Sequence, residues 1–397
     1  MKVLILPSWY PSSPADCNGV FFREQAIALS RIGCQVSVLS ANLSSFKNIR
    51  QWRLKVSKPK VFEDELVQTF RVYGSNLFPC LPRLREKWQA HLLKNLYTCY
   101  ERDNGRPDLI HVHSMLPAGL AALELWNSRR IPYVITEHST AFARRLLSDD
   151  QISKCRKIAS CAQERWAVSP TFARKLEQEL GSVGGRWGVM PNIVARPFLE
   201  TPLPNRCRSP FVFLNVCFHT PIKKVDLLLR AFAQEFRSCN DVILQLAGSG
   251  PHTAELIRQS SQLGIADKVQ FLGMLSRDQV LSAMAGAHAF VLSSQVETFG
   301  VVLIEALAMG LPLLATRCGG PEYIVTESNG ILVENGDIEQ LAAALLHLKY
   351  NISRYKASEL RRECAERFSE DSIIRILNES YHSVLANHQK VDSRAAH

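Results

Sequence analysis

Long apolar runs are missing from this chain of 397 residues. No stretch approaches the roughly 20 apolar residues that a spanning helix requires, so a transmembrane helix is not expected. The opening Met1-Lys-Val-Leu-Ile-Leu-Pro7 is too short an apolar run for a signal peptide and carries no cleavage site; it reads as a first strand. Paired cysteines are missing too. The eleven cysteines are scattered without any Cys-x-x-Cys, which argues against a zinc or disulfide framework and for reduced cytosolic thiols. No Gly-x-Gly-x-x-Gly follows the first strand, so a nicotinamide site gains little support. No nucleic-acid-binding motif is found either.

What is present is an ordinary globular composition, 46% hydrophobic and 21% charged, long enough for two domains with separate cores. The net charge of +10 is unevenly placed. Residues 1–200 hold 28 Lys/Arg against 17 Asp/Glu, and residues 201–397 hold 19 against 20. The clusters in the first half are Lys47 to Lys60, Arg83 to Lys87, Arg129-Arg130, Arg144-Arg145 and Lys154 to Lys157. Such a basic face suits an anionic membrane surface or an anionic lipid-linked substrate; a generally soluble basic surface is the alternative.

Apolar periodicity predicts α/β architecture with parallel sheets. In the first half, short strands alternate with helices at Phe21 to Ile32, Arg83 to Glu101, Leu120 to Asn127, Lys154 to Arg165 and Thr171 to Leu180. Two of the strands end in His113 and His138. In open parallel sheets, ligands sit beyond the carboxyl ends of the strands, so both histidines are expected at one site. Met190-Pro191-Asn192 to Pro210 reads as a proline-punctuated linker. The second half repeats the rhythm. The expected domains are 1–195 and 205–372, with a C-terminal helix at about 373–390 packing back on the first.

The most informative stretch is Phe290-Val-Leu-Ser-Ser-Gln-Val-Glu297-Thr-Phe299-Gly300-Val301-Val-Leu-Ile-Glu305-Ala-Leu-Ala-Met-Gly310-Leu-Pro312. A strand runs into a turn holding Glu297, and a helix begins near Val301 with Glu305 one turn in. Free amides of the first helical turn favour an anion such as phosphate. Two acids beside a phosphate need other partners, and sugar hydroxyls fit. The competing reading is a surface helix with two solvated glutamates.

This run resembles the donor site of retaining glycosyltransferases of family 4 and its Glu-x7-Glu pattern. Trp9-Tyr10-Pro11 with Asn18-Gly19-Val-Phe-Phe-Arg-Glu-Gln25 looks like a branch associated with bacterial cell-surface polysaccharides. His111-Val-His113, Thr136-Glu-His138-Ser, Val168-Ser169 and Met190-Pro-Asn192 follow in family order. The resemblance implies the GT-B fold: two Rossmann-like doubly wound domains facing across a cleft, the first binding acceptor and the second a nucleotide sugar.

It also implies roles. Glu305 would take the ribose hydroxyls, and Glu297 those of the transferred sugar. Phe299, Gly300 and Val301 would offer backbone amides to sugar and phosphate. Gly19 would approach the diphosphate, His113 would contact the sugar near its reacting carbon, and His138 is a further donor-binding candidate. Lys223 or Lys224 would balance charge on the leaving phosphate. One departure stands out. Where the family has Gly-Arg-Leu, this chain reads Val216-Cys217-Phe218-His219, and a doubled lysine replaces the usual Lys-Gly. Either Lys224 or His219 stands in for that Arg, or donor binding is weakened.

The expected reaction is glycosyl transfer with retention, from a nucleotide-diphosphate sugar to a glycan or polyprenyl-diphosphate-linked acceptor at the inner face of the membrane. No Asp-x-Asp, the metal–diphosphate signature of the other glycosyltransferase fold, is present, and Asp149-Asp150 fall in an apparent loop. No cofactor or metal is expected. The alternatives are a non-catalytic glycan-binding or partner subunit and a nucleotide-sugar epimerase.

Overall fold

The computed structural model describes residues 1–12, 16, 18–44, 56–78, 81–181, 185–205 and 209–395, with backbone alone for 44 and 391–395. The basic residues from Lys47 to Lys55 therefore lie outside the described residues. The chain divides into two compact units, Met1–Pro191 with Ile373–His397, and Asn192–Ser372. From Asn192 onward the segment expected to be a linker belongs to the second unit, and it contains a short helix, Arg196–Glu200, with Pro197 in its first turn.

The first unit contains β1 (Lys2–Pro7), β2 (Gln35–Ser44), β3 (Lys60–Asp64), β4 (Val67–Ser75), β5 (Leu109–His113), β6 (Tyr133–Glu137), β7 (Glu164–Ala167) and β8 (Gly188–Val189). They form one sheet in the order β3-β4-β2-β1-β5-β6-β7-β8. Val3, Leu4, Ile5 and Leu6 of β1 are all fully buried, as a continuous apolar strand covered on both faces should be. Among the described strands, only β3 runs antiparallel, pairing with β4. Its side chains are almost all exposed, so it had no alternating apolar pattern to read. The helix read as Lys154 to Arg165 is instead Asp149–Cys161. Ser148 caps it, reciprocated by Gln151, and Asp149-Asp150 form its acidic first turn rather than a loop.

The second unit contains β9 (Phe211–Val216), β10 (Val242–Ala247), β11 (Val269–Gly273), β12 (Ala289–Leu292), β13 (Leu313–Thr316) and β14 (Gly330–Val333). The order is β11-β10-β9-β12-β13-β14, and every pairing is parallel. The order reverses direction between β9 and β12, which is where a doubly wound sheet opens a crevice for ligands.

After Phe368 the chain re-enters the first unit through the helix Glu370–Ala395. Tyr381 on this helix is fully buried, and its hydroxyl lies 2.6 Å from Nδ1 of His111 on β5.

Candidate active site

In the second unit, the turn after β12 carries Glu297. The loop after β13 fixes it there: Glu297 N–H donates to Cys318 O at 3.0 Å, and Gly320 N–H donates to Glu297 O at 2.8 Å. A Cβ at Gly320 would come within 2.3 Å of Phe299 Cα, so only glycine permits this approach. The Glu297 carboxylate accepts from Lys223 Nζ at 2.5 Å and from Ser294 Oγ at 2.8 Å, both on Oε1. Burial works against the Lys223 ammonium, but the adjoining carboxylate outweighs it and the lysine pKa is raised.

Gly300, at φ 100°, opens the helix Val301–Ala308 without any side-chain cap. Leu303 N–H donates to Gly300 O at 2.9 Å, and the amides of Val301 and Val302 before it face outward from the helix N-terminus. Glu305 lies in that helix at 2% exposure, which rules out a solvated surface glutamate. Its Oε1 accepts from Arg277 Nη1. Arg277 escaped the sequence reading because it belongs to no motif there. A signal existed in Ser276-x-x-Gln279, a capping box that sets Arg277 at the start of the helix Arg277–Gly286.

The position of the missing Arg is now defined. His219 follows β9 and is buried, with Nδ1 3.0 Å from Thr253 Oγ1 and Nε2 without a hydrogen bond. Burial lowers its pKa, so the ring is neutral near pH 7 and supplies no fixed positive charge. Lys224 sits at φ 50°, between the short turn Pro221–Lys223 and the helix Val225–Phe236. That left-handed conformation favours glycine and costs a lysine about 1 kcal/mol.

In the first unit, Gly19 starts the helix Val20–Arg31 at φ 77°, and a Cβ there would meet Trp9 Cδ1 at 2.9 Å. His113 ends β5 and His138 directly follows its neighbour β6, and their rings are joined, Nδ1 to Nε2, at 3.1 Å. Phe22, on the helix that Gly19 begins, packs 4.7 Å from both rings. Both histidines are buried, and burial holds both pKa values well below the ordinary range, so both are neutral. Nε2 of His113 is buried without a hydrogen bond. Glu137 organises the loops around them: it accepts from the amides of Met115, His138 and Ser139 at 2.8, 2.9 and 2.8 Å.

The same unit holds a cavity of about 1300 Å³. Trp9, Tyr10, Tyr73, Asn42 and Gln89 are among its lining residues, a mixture of aromatic faces and polar groups suited to a hydroxylated ligand. Glu86, on its wall, is buried and held by Gln151 Nε2 at 2.5 Å and Lys154 Nζ at 3.0 Å. Among the described residues, no cluster of three or more His, Cys, Asp and Glu side chains is placed to hold a metal ion.

Each unit therefore gathers its own predicted residues: Gly19, His113 and His138 in one, and Lys223, Lys224, Glu297, Phe299, Gly300, Val301 and Glu305 in the other. Comparison with known proteins agrees with this division. Residues 19–195 match the family described as Glycosyltransferase Family 4, and residues 208–368 match Glycosyl transferases group 1. The chain is 31% identical to N-acetyl-alpha-D-glucosaminyl L-malate synthase of Bacillus anthracis, over 97% of this chain and 98% of that protein. It is also 31% identical to the lipopolysaccharide core biosynthesis glycosyltransferase LpsD of Rhizobium meliloti, over 39% of this chain and 43% of that one. Among solved structures, Anabaena HepE in complex with UDP and glucose superposes with a TM-score of 0.69 at 20% identity, covering 96% of this chain and 100% of that one. The chain belongs to glycosyltransferase family 4 and has the GT-B fold.

Proposed function

We propose that this glycosyltransferase moves a sugar from a nucleotide-diphosphate donor to a hydroxyl of a glycan or polyprenyl-diphosphate-linked acceptor, with retention of anomeric configuration. The observation carrying this reading is the pair of acids beside an uncapped helix start, each acid already matched to a cation. In the second unit, Glu305 takes the ribose diol and Glu297 the hydroxyls of the transferred sugar. The amides of Phe299, Gly300 and Val301 take sugar and phosphate oxygens, and Lys223 and Lys224 offset charge on the departing diphosphate. His138 and Gly19 serve the donor from the first unit, and His113 offers Nε2 to a sugar hydroxyl near the reacting carbon. The bond from the anomeric carbon to the diphosphate oxygen breaks as the acceptor oxygen bonds to that carbon on the same face. The acceptor proton passes to the leaving phosphate oxygen. Positioning and charge stabilisation then carry the catalysis, and neither a protein base nor a metal is required.

Glu297→Ala is the test. Donor hydrolysis without acceptor should fall at least about 100-fold, and wild-type turnover should be unaffected by chelator. Turnover that a chelator abolishes and Mn²⁺ restores would refute the metal-free reading. Intact nucleotide-sugar binding with no turnover would favour a non-catalytic subunit, the reading that the absent Arg supports.

The acceptor side is assigned to the first unit and its cavity, at an anionic membrane surface on the cytoplasmic side. Leu81, Leu84 and Leu146 are 54, 43 and 58% exposed. The Arg83–Asp150 pair, at 3.0 Å, draws the starts of helices Pro82–Asn104 and Asp149–Cys161 together beside them. Arg85 and Leu147 from these segments line the cavity, and Lys87 and Arg144 flank them in sequence. Apolar groups among basic ones suit a lipid headgroup layer. Among the described residues, no helix is long and apolar enough to cross a membrane. Anionic vesicles should retain the protein at low salt and release it at high salt; equal partition onto neutral vesicles would contradict the assignment.

A further inference from the structure

A cation outside every recognised motif sits on the acid assigned to ribose. Arg277 occupies the first position of its helix because Ser276 and Gln279 cap each other: Gln279 N–H donates to Ser276 Oγ at 3.3 Å, and Ser276 N–H donates to Gln279 Oε1 at 2.8 Å. From there the guanidinium donates to Glu305 Oε1 and lies 5.0 Å from the centre of the Phe198 ring. Phe198 comes from the helix Arg196–Glu200 and is itself buried. Three segments distant in sequence thus converge on one carboxylate.

Glu305 is enclosed by an otherwise apolar helix, Val-Val-Leu-Ile-Glu-Ala-Leu-Ala. A buried carboxylate needs a partner to remain in place, and a planar guanidinium resting against an aromatic ring is a fixed one. The hydrogen bond from Arg277 falls on Oε1.

We propose that Arg277 is the positioning residue of the donor site: it holds Oε1 of Glu305 and so turns Oε2 toward the ribose diol of a nucleoside diphosphate. The inference rests on the assignment of Glu305 to ribose. A lysine would not reproduce it, because an ammonium on a flexible stem sets no plane for the carboxylate. A different role, direct contact of Arg277 with the donor phosphates, makes a different prediction and is separated by the same experiment.

UDP, GDP and ADP are titrated against wild-type protein, and the nucleotide that binds is carried forward with its 2′-deoxy and 3′-deoxy forms and its parent nucleoside. Arg277→Gln and Arg277→Lys are compared, with thermal midpoints confirming that each is folded. Losing a ribose hydroxyl should weaken wild-type binding about tenfold, the scale of a hydrogen bond to a charged group. In both variants the full ribonucleotide should bind about tenfold more weakly, while removing the hydroxyl should then cost less than about twofold. An arginine that merely stabilises the fold would weaken ribose and deoxyribose forms alike, and that result overturns the proposal. So does a loss that persists in the deoxy forms and vanishes with the nucleoside, which would place Arg277 on phosphate. If Arg277→Gln unfolds, the folded Arg277→Lys decides alone. If wild type binds none of the three nucleotides, the donor-site reading fails and the inference with it.

Discussion

At the ends of β5 and β6, three histidines are buried together without charge: His111 bonds Tyr381 and Thr136, and His113 bonds His138. Beyond β12, two glutamates are buried or nearly so, and each carries a cation, Lys223 on Glu297 and Arg277 on Glu305. One unit thus keeps its polar cluster neutral by desolvation, and the other keeps its charges by pairing them. The difference matches the chemistry assigned to each. Neutral imidazoles can share hydroxyl hydrogen bonds without repelling or attracting the diphosphate. Paired acids can exchange or share a partner with sugar hydroxyls while the nearby lysine balances phosphate.

Breaking a pair is expected to have the larger consequence. Lys223→Met leaves Glu297 without its ammonium in a partly buried setting. A loss of about 2 kcal/mol, between the values for exposed and fully buried pairs, should appear in denaturant unfolding. Glu297→Gln should recover part of it in the double variant, since the uncompensated charge is then gone. Additive losses would show that the ion pair is not what stabilises the turn.

The neutral cluster should reveal itself through pH. Burial lowers the His111 pKa to about 3, while the unfolded chain protonates near 6.5. As pH falls below about 6.5, the unfolded state gains a proton that the folded state refuses. Stability present above that pH is then lost, at up to about 1.4 kcal/mol per pH unit, until His111 itself protonates. His111→Gln should lower the slope of stability against pH between pH 6.5 and 5 by up to about 1.4 kcal/mol per pH unit, with buried His113 and His138 maintaining the remainder. An unchanged slope would mean that His111 is protonated in the folded protein or that other groups dominate.

Much of this arrangement could be read in the residues, for identifiable reasons. The strands of both sheets are short apolar runs ended by glycine, histidine or polar turns, so parallel strands buried on both faces stood out. Glu297, Gly300 and Glu305 lie within one local strand–turn–helix, where spacing alone constrains geometry. What escaped was either exposed or distant. β3 presents no buried face, and Ser148 was passed over as a cap, so Asp149-Asp150 looked like loop. Arg277 is 28 residues from Glu305 and meets it only because β11 and β12 belong to one sheet. Lys223 was expected to serve phosphate; its bond to Glu297 depends on the loop after β9 folding beside the turn after β12.

The most direct test of the account is a metal-free thermal-shift screen of nucleotide sugars against wild type and Glu305→Ala. Binding to the folded state should raise the wild-type midpoint for at least one nucleotide sugar, by about 2.7 kcal/mol of apparent stability at a hundredfold excess over the dissociation constant. The same ligand should leave Glu305→Ala unmoved. No shift with any nucleotide sugar, or an equal shift in both proteins, would contradict a donor site built on Glu305.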